Sequence, residues 1–158
     1  MAAVPQFGTP EPGQDTPDRP AAFAVILRHD VLAVMRVDSR RRGRVYDLPG
    51  GGIDPGESPA EAAVRECGEE AGLEVAVDAE PFALADQFFV NDDGWAHNSR
   101  GRFLEGRVIA DAPALKVEDD HTLVWMPPER ALVVLDREAH AWAVAAFLRR
   151  LERARPNG

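Results

Sequence analysis

The chain has 158 residues, 45% of them apolar, with 27 acidic against 18 basic side chains and a net charge of −9. That length and apolar content suit one domain with one core, and the acidic balance argues against a binder of duplex DNA or RNA, which shows a basic stripe. A single cysteine excludes an internal disulfide and suits a reducing compartment; with no apolar run of transmembrane length and no basic-then-apolar leader, the expectation is a cytoplasmic protein.

Residues 1–20 carry five prolines and almost nothing to bury, which predicts a mobile tail and a single domain over 21–155. Residues 22–27 and 31–37 read as strands around the turn Arg28-His29-Asp30, so a hairpin is expected. A short strand over 44–48 runs into Leu48-Pro49-Gly50-Gly51-Gly52, where the backbone can approach a ligand closely. Asp54-Pro55-Gly56 then forms a turn that delivers Glu57 to a helix entrance. Ser58 is a good N-cap, Pro59 fits the first helical position, Glu61 completes a capping box, and Gly72 is the expected stop. Between them Ala60, Ala63, Val64, Cys67 and Ala71 fall on one stripe predicted to pack on a sheet. Further strands are expected at 73–77, 81–90, 102–109 and 122–126, and a short helix within 128–135. Asp136 is the expected N-cap of a last helix over 137–153, with Trp142, Ala146, Phe147 and Leu151 toward the core. Strands alternating with two long helices, not in strict βαβ order, point to an α/β or α+β sheet covered by helices.

Within the first helix Glu66, Glu69 and Glu70 stand at i, i+3 and i+4, on one face about 5–6 Å apart at Cβ and pointing away from the apolar stripe. Like charges so placed repel, and a divalent cation removes the conflict, because hard Mg²⁺ or Mn²⁺ takes oxygen ligands from carboxylates and substrate phosphates. Arg65 lies four residues after Glu61 and four before Glu69, within reach of either.

The segment 51–73 resembles the Nudix box, G-x5-E-x7-R-E-U-x-E-E-x-G-U with U apolar. Gly51, Glu57, Arg65, Glu66, Glu69, Glu70 and Gly72 match all seven fixed positions, and Cys67 and Leu73 occupy the apolar ones. The Leu-Pro-Gly-Gly entry and the late run Val124-Trp125-Met126-Pro127 look like the same family. The resemblance implies an α/β/α sandwich around a mixed β-sheet, and a pyrophosphohydrolase that cuts a nucleoside diphosphate linked to another group, X, with Mg²⁺ or Mn²⁺. It further implies metal ligation by Glu66, Glu69 and Glu70 with the Gly50 carbonyl. Glu57 would be an outer ligand or loop anchor, and Arg65 would orient the glutamates. The general base is a box glutamate or a later carboxylate: Glu118 ranks first by its distance from Trp125, ahead of Asp119, Asp120 and Glu105.

Substrate contacts are less marked. Arg36, Arg40, Arg41, Arg42 and Arg44 crowd the loop before the glycines, with Arg36 and Arg44 the candidates for phosphate. Trp95, in the connection 91–98, could stack on a base, and surface positions are expected for His29, His97, His121 and His140. Marks of the family's NADH, dinucleoside-polyphosphate, ADP-ribose and coenzyme-A branches are missing, which leaves a MutT-like member acting on a small nucleotide, with a homodimer left open. The alternative is a non-catalytic nucleotide-binding module, which would be expected to lose a box carboxylate or to carry an added domain. An isomerase of the isopentenyl-diphosphate type would need a catalytic Cys outside the helix.

Overall fold

The computed structural model describes residues 2–157. In chain order its elements are β1 (Gln6–Phe7), β2 (Asp18–Arg28), β3 (Val31–Ser39), β4 (Gly43–Asp47), β5 (Gly50–Gly52), α1 (Pro59–Ala71), β6 (Leu73–Val77), β7 (Ala83–Val90), β8 (Ala96–Asp111), a 3₁₀ turn at Pro113–Leu115, β9 (His121–Met126), α2 (Pro128–Val134) and α3 (Glu138–Ala154). The strands run in the order β1-β7-β8-β2-β3-β4, with β5 also on β2, β6 on β8 and β9 on β3. The β1–β7 and β2–β8 pairings are parallel and the rest antiparallel, so the sheet is mixed.

Central strand β2 shows why helices cover both faces. Ala21, Phe23 and Val25 join a core with Ala131 of α2 and Ala139, Ala143, Val144 and Phe147 of α3. Their alternates Ala22, Ala24 and Ile26 join a second core with Ala62, Ala63 and Cys67 of α1. A strand buried on both sides reads as a continuous apolar run, as 21–27 does. The result is the expected α/β/α sandwich.

Several local expectations are corrected. Part of the presumed tail is structured: β1 pairs with the edge of β7, Phe7 packs on the α3-side core, and β2 starts at Asp18. Proline-rich backbone lacks donors but is already extended, which suits a sheet edge. In α1, Val64 is 38% exposed while Ala62, Gly68 and Glu70 are buried, so the helix is rotated from its apolar stripe toward its smallest residues. In α3, Trp142 is 37% exposed and His140 lies inside. Asp136 does not cap α3. Its carboxylate pairs with Arg42 at 2.7 Å, and the Gln87 side chain accepts the Ala139 N–H at 3.1 Å instead.

His97 and His140 are not surface residues, being 2% and 1% exposed. The His140 ring packs against Phe23 at 4.4 Å, and its Nδ1 accepts the Leu48 N–H at 3.1 Å, two residues before the glycine strand. Burial, then Arg137, push its pKa down from 6.5 to about 3, so it is neutral. Below pH 6.5 the unfolded chain takes up a proton that the folded chain refuses. Stability from this group is therefore complete above pH 6.5 and declines as pH falls toward 3, at up to about 1.4 kcal/mol per pH unit. The melting temperature of the wild type should fall more steeply between about pH 6.5 and 4.5 than that of His140→Gln. Parallel curves would show that His140 is not held neutral.

Candidate active site

Strand β5 pairs with β2 in the register Ala21↔Gly52, Ala22↔Gly51 and Phe23↔Gly50. Gly50 has φ +148°, and a Cβ there would lie 2.2 Å from the Ala22 carbonyl oxygen, so no other residue fits. Beyond the strand, the Glu57 N–H donates to the Asp54 carbonyl and the Asp54 N–H to Glu57 Oε1, both at 3.0 Å. Helix α1 begins as its sequence predicts, with Ser58 Oγ accepting the Glu61 N–H at 3.1 Å, and ends with Gly72 in the left-handed conformation.

Arg65 binds the loop, the helix and the strand together. Its Nε donates to Glu57 Oε2 at 2.8 Å and its Nη2 to Glu57 Oε1 at 3.0 Å, while Nη1 reaches Glu66 Oε1 at 3.0 Å and Glu69 Oε2 at 3.2 Å. Nη2 also donates to the Gly52 carbonyl at 3.1 Å. Of the two partners expected from helix spacing, Glu69 is engaged; Glu57, from outside the helix, supplies the bidentate fork. The Arg65 hydrogen bond holds the Glu57 carboxyl below its ordinary pKa.

The three clustered glutamates occupy different environments, with side-chain exposures of 16% for Glu66, 36% for Glu69 and 8% for Glu70. Glu70, placed away from the apolar stripe by helix spacing, is nonetheless buried. Its Oε1 accepts the Gly50 N–H at 2.8 Å, and Oε2 lies 2.9 Å from His121 Nε2. Burial raises the Glu70 pKa, against the pull of His121. Burial and then the Glu70 charge lift Glu66 to about 7, despite Arg65. Burial alone would lower His121, but its contacts with Glu70 and Asp120 outweigh that and raise it to about 9. His121 is thus a cation facing the box, not a free surface group.

The loop 116–120 closes over the last turn of α1. The N–H groups of Val117 and Glu118 donate to the Glu69 carbonyl at 2.9 and 3.0 Å. Lys116 Nζ donates to the carbonyls of Glu70 and His121 at 2.9 and 2.8 Å, and also to that of Glu118, a favourable place for a cation at a helix C-terminus. Glu118 is thereby brought beside the box helix, where its carboxylate, that of Asp120 and the His121 ring offer ligand atoms within 4.8 Å of one another. Glu105, by contrast, pairs with Arg150 of α3 at 3.6 Å.

The predicted substrate residues are dispersed. Arg44 is paired with Asp38 at 3.2 Å near the tip of the β3–β4 hairpin, and Arg36 is half-buried on β3, opposite Tyr46 and Thr122. Among the described residues, neither is hydrogen-bonded or ion-paired to a box residue. Trp95 is 43% exposed, stacked on His97 at 4.6 Å and faced by Arg19, whose Cζ is 5.5 Å from the ring centroid.

The hard oxygen donors of Glu66, Glu69 and Glu70 beside the glycine backbone suit a divalent cation, and burial together with the neighbouring Glu70 charge raises the affinity of Glu66 for a proton. The family model for the NUDIX domain matches residues 17–151. The chain belongs to the Nudix family. It is 34% identical over 111 residues to a protein of Bacillus subtilis (strain 168) named putative 8-oxo-dGTP diphosphatase, an alignment covering 69% of this chain and 66% of the relative. It is 51% identical over 43 residues to an Erythrobacter litoralis (strain HTCC2594) protein named RNA pyrophosphohydrolase, covering 27% of this chain and 26% of that one. The chain thus spans no more than about two thirds of the length of either relative. The crystal structure of a MutT protein from Methanosarcina mazei Go1 superposes with a TM-score of 0.69, at 21% identity over 90% of this chain and 100% of that one. Among the described residues of this Nudix protein, no helix is long and apolar enough to cross a membrane.

Sequence reasoning missed a polar network on the α3 side of the sheet. Arg42 pairs with Asp47 at 3.0 Å and Asp136 at 2.7 Å, and buried Arg137 reaches Asp47 at 3.5 Å. The guanidinium of Arg137 sits 3.6 Å from the centroid of the Phe89 ring and that of Arg42 4.8 Å. Arg42, Phe89, Asp136 and Arg137 wall a cavity of about 230 Å³ that also touches Glu11, Gln87 and Glu138. Its residues come from six separate segments, so no local motif marks it.

Arg65→Ala would leave Glu57, Glu66 and Glu69 without their shared cation. The variant should lose about 1–3 kcal/mol of stability, and added Mg²⁺ should raise its melting temperature more than that of the wild type. Equal shifts in thermal melts with and without Mg²⁺ would remove Arg65 as the charge balance of the cluster.

Proposed function

We propose that the protein hydrolyses a pyrophosphate bond in a nucleoside diphosphate linked to X, with a nucleoside triphosphate or a related small nucleotide as substrate and Mg²⁺ or Mn²⁺ as cofactor. The observation that carries this reading is the convergence of Glu57, Arg65, Glu66, Glu69 and Glu70 on the glycine strand. The family membership and the printed names of the Bacillus and Erythrobacter relatives, which both describe cleavage of phosphate anhydrides, support it. The free thiol of Cys67, buried under α1, fits a cytoplasmic setting.

In this reading Glu66, Glu69 and Glu70 hold the metal together with the Gly50 carbonyl, and Glu57 acts as an outer ligand that fixes the loop. The ion, when bound, neutralises phosphoryl charge and lowers the pKa of water. Arg65 keeps the glutamates in one geometry without touching substrate. Glu118, on the loop hydrogen-bonded to Glu69, takes the proton of the attacking water as general base. Its place beside the last turn of α1 supports that role over Glu105, which is engaged by Arg150. The cavity bounded by Phe89, Arg137 and Gln87 receives the nucleoside side, and Trp95, stacked on His97, offers a further stacking surface. The full complement of box carboxylates favours this enzyme over a binding module without turnover.

Phosphate release should be screened across nucleoside triphosphates, 8-oxo-dGTP, sugar nucleotides, ADP-ribose, dinucleoside polyphosphates, coenzyme A and 5′-triphosphorylated RNA, with Mg²⁺ and with Mn²⁺. Turnover of a small nucleotide in preference to RNA is expected. Binding without turnover of any of them would favour the module instead. Glu69→Gln should lower kcat by about 10²–10³-fold with an unchanged melting temperature, because the side chain is the most exposed of the three. Wild-type turnover in that variant would remove the glutamates as ligands.

A further inference from the structure

Residues 9–16 lie outside the stretch that the family model matches, which begins at residue 17. Yet Thr9, Glu11 and Thr16 form part of the wall of the cavity that receives the nucleoside side in the reading above. The chain supplies that wall as a strap fastened at both ends. Before it, the Pro5 carbonyl accepts the Asp86 N–H at 2.9 Å, and Gln6 and Phe7 pair with Asp86 and Gln87 on β7. The side-chain amides of Gln6 and Asn98 bond each other twice, at 3.0 Å. After the strap, the Pro17 carbonyl accepts the Asn98 N–H at 2.9 Å. Gly8 turns the chain off the sheet at φ +78°, where a Cβ would fall 2.8 Å from both Gln87 Nε2 and the Phe88 carbonyl oxygen, so the turn requires glycine.

Between those ends, among the described residues, one ion pair ties the strap to the rest of the molecule. Glu11 meets Arg41 at 3.7 Å, with side-chain exposures of 41% and 46%. The Arg41 side of this clasp is fixed, because Asp92 accepts the Ser39 hydroxyl at 2.5 Å and the Arg40 N–H at 3.0 Å. The other walls of the cavity belong to β7, β8, the β3–β4 turn and the entry to α3. An exposed ion pair holds weakly, so the strap is the wall that yields. At about 230 Å³ the cavity falls below the roughly 300–1,000 Å³ of pockets that take drug-sized ligands, which leaves room for one nucleoside and not for two. Resting on the hydrolase reading above, we propose that Glu11, clasped to Arg41, determines specificity: the strap closes the cavity around a single nucleoside and turns away nucleotides extended at the ribose, such as the 5′ end of an RNA. It takes no part in bond cleavage and discriminates by clash with the larger ligand.

Steady-state kinetics of the full chain on a pair of substrates test this: the best nucleoside triphosphate of the screen, and the 5′-triphosphorylated dinucleotide that extends it by one residue. The wild type should favour the shorter by at least about 10-fold in kcat/KM. Glu11→Ala should narrow that preference by about 10-fold, mainly through a lower KM for the dinucleotide, and Arg41→Ala should do the same. Exchanging the charges, Glu11→Arg with Arg41→Glu, should restore the preference that either change alone removes. Thr16→Trp, which fills the cavity from the strap, should raise KM for the nucleoside triphosphate and leave the binding of inorganic tripolyphosphate in Mg²⁺, read by calorimetry, as in the wild type. One preference shared by wild type and variants, with only lower melting temperatures in the variants, would reduce the strap to a structural role and overturn the proposal. Equal turnover of the two substrates by the wild type would also overturn it, and the hydrolase reading would stand in both cases. If neither substrate is turned over, the same pair as 5′-monophosphates is compared by calorimetry. A preference for the mononucleotide that Glu11→Ala removes would uphold the strap while overturning the hydrolase reading, and no preference would overturn both.

Discussion

The Arg65 guanidinium is the point on which the site depends. One planar group joins the Glu57 loop, the Gly52 backbone and two carboxylates of α1. Without it three partly buried carboxylates would face one another, and the loop would have no fixed exit from β5. Charge alone does not explain its use here. A lysine would supply the cation, but not two parallel donors to Glu57 together with separate donors to the strand and the helix.

The remaining charge is handled asymmetrically. Glu70, buried at the base of the cluster, is answered by His121 and the Gly50 N–H. Glu66, between Arg65 and Glu70, keeps a raised affinity for a proton. Glu69 is the most open of the three. Three residues one turn apart thus present three electrostatic situations, set by which neighbours the fold brings to each. Loop 116–120 contributes as much as the helix, since it carries Lys116 to the end of α1 and delivers Glu118 and His121 to the same place.

What the sequence made legible is local. The caps and length of α1, the turn at 54–56, the β2–β3 hairpin and the strands after the box follow from residue types at short spacing, and the structure carries all of them. The errors arose where a distant partner decided. Asp136 has the chemistry of a cap but is drawn to Arg42 in the β3–β4 hairpin. His140 and His97 lack any local sign of burial, yet pack against aromatics from other strands. The prolines of the first segment signal a chain that cannot form helix, and whether such a chain lies along a sheet edge depends on that edge being free. Helix rotation was equally hidden: Val64 is more apolar than Gly68, but it is Gly68 that lies beneath Leu115, where a Cβ would come within 3.3 Å of Cδ1.

The register of β2 on β8 also bears on how the protein is made. Phe23 lies opposite Phe103, so the strand supporting the glycine run gains its parallel neighbour only after roughly eighty more residues have been synthesised. His121 and the loop that closes over α1 follow later still, and His140 last. A nascent chain emerging from the ribosome therefore displays a complete box sequence well before it has a box. Its acidic helix must wait, solvated and unpaired, for long-range closure of the sheet, and non-local pairing of this kind slows folding. Assembly of the centre thus waits for β8, β9 and α3, and a chain that stalls short of β8 carries the motif without the geometry that gives it meaning.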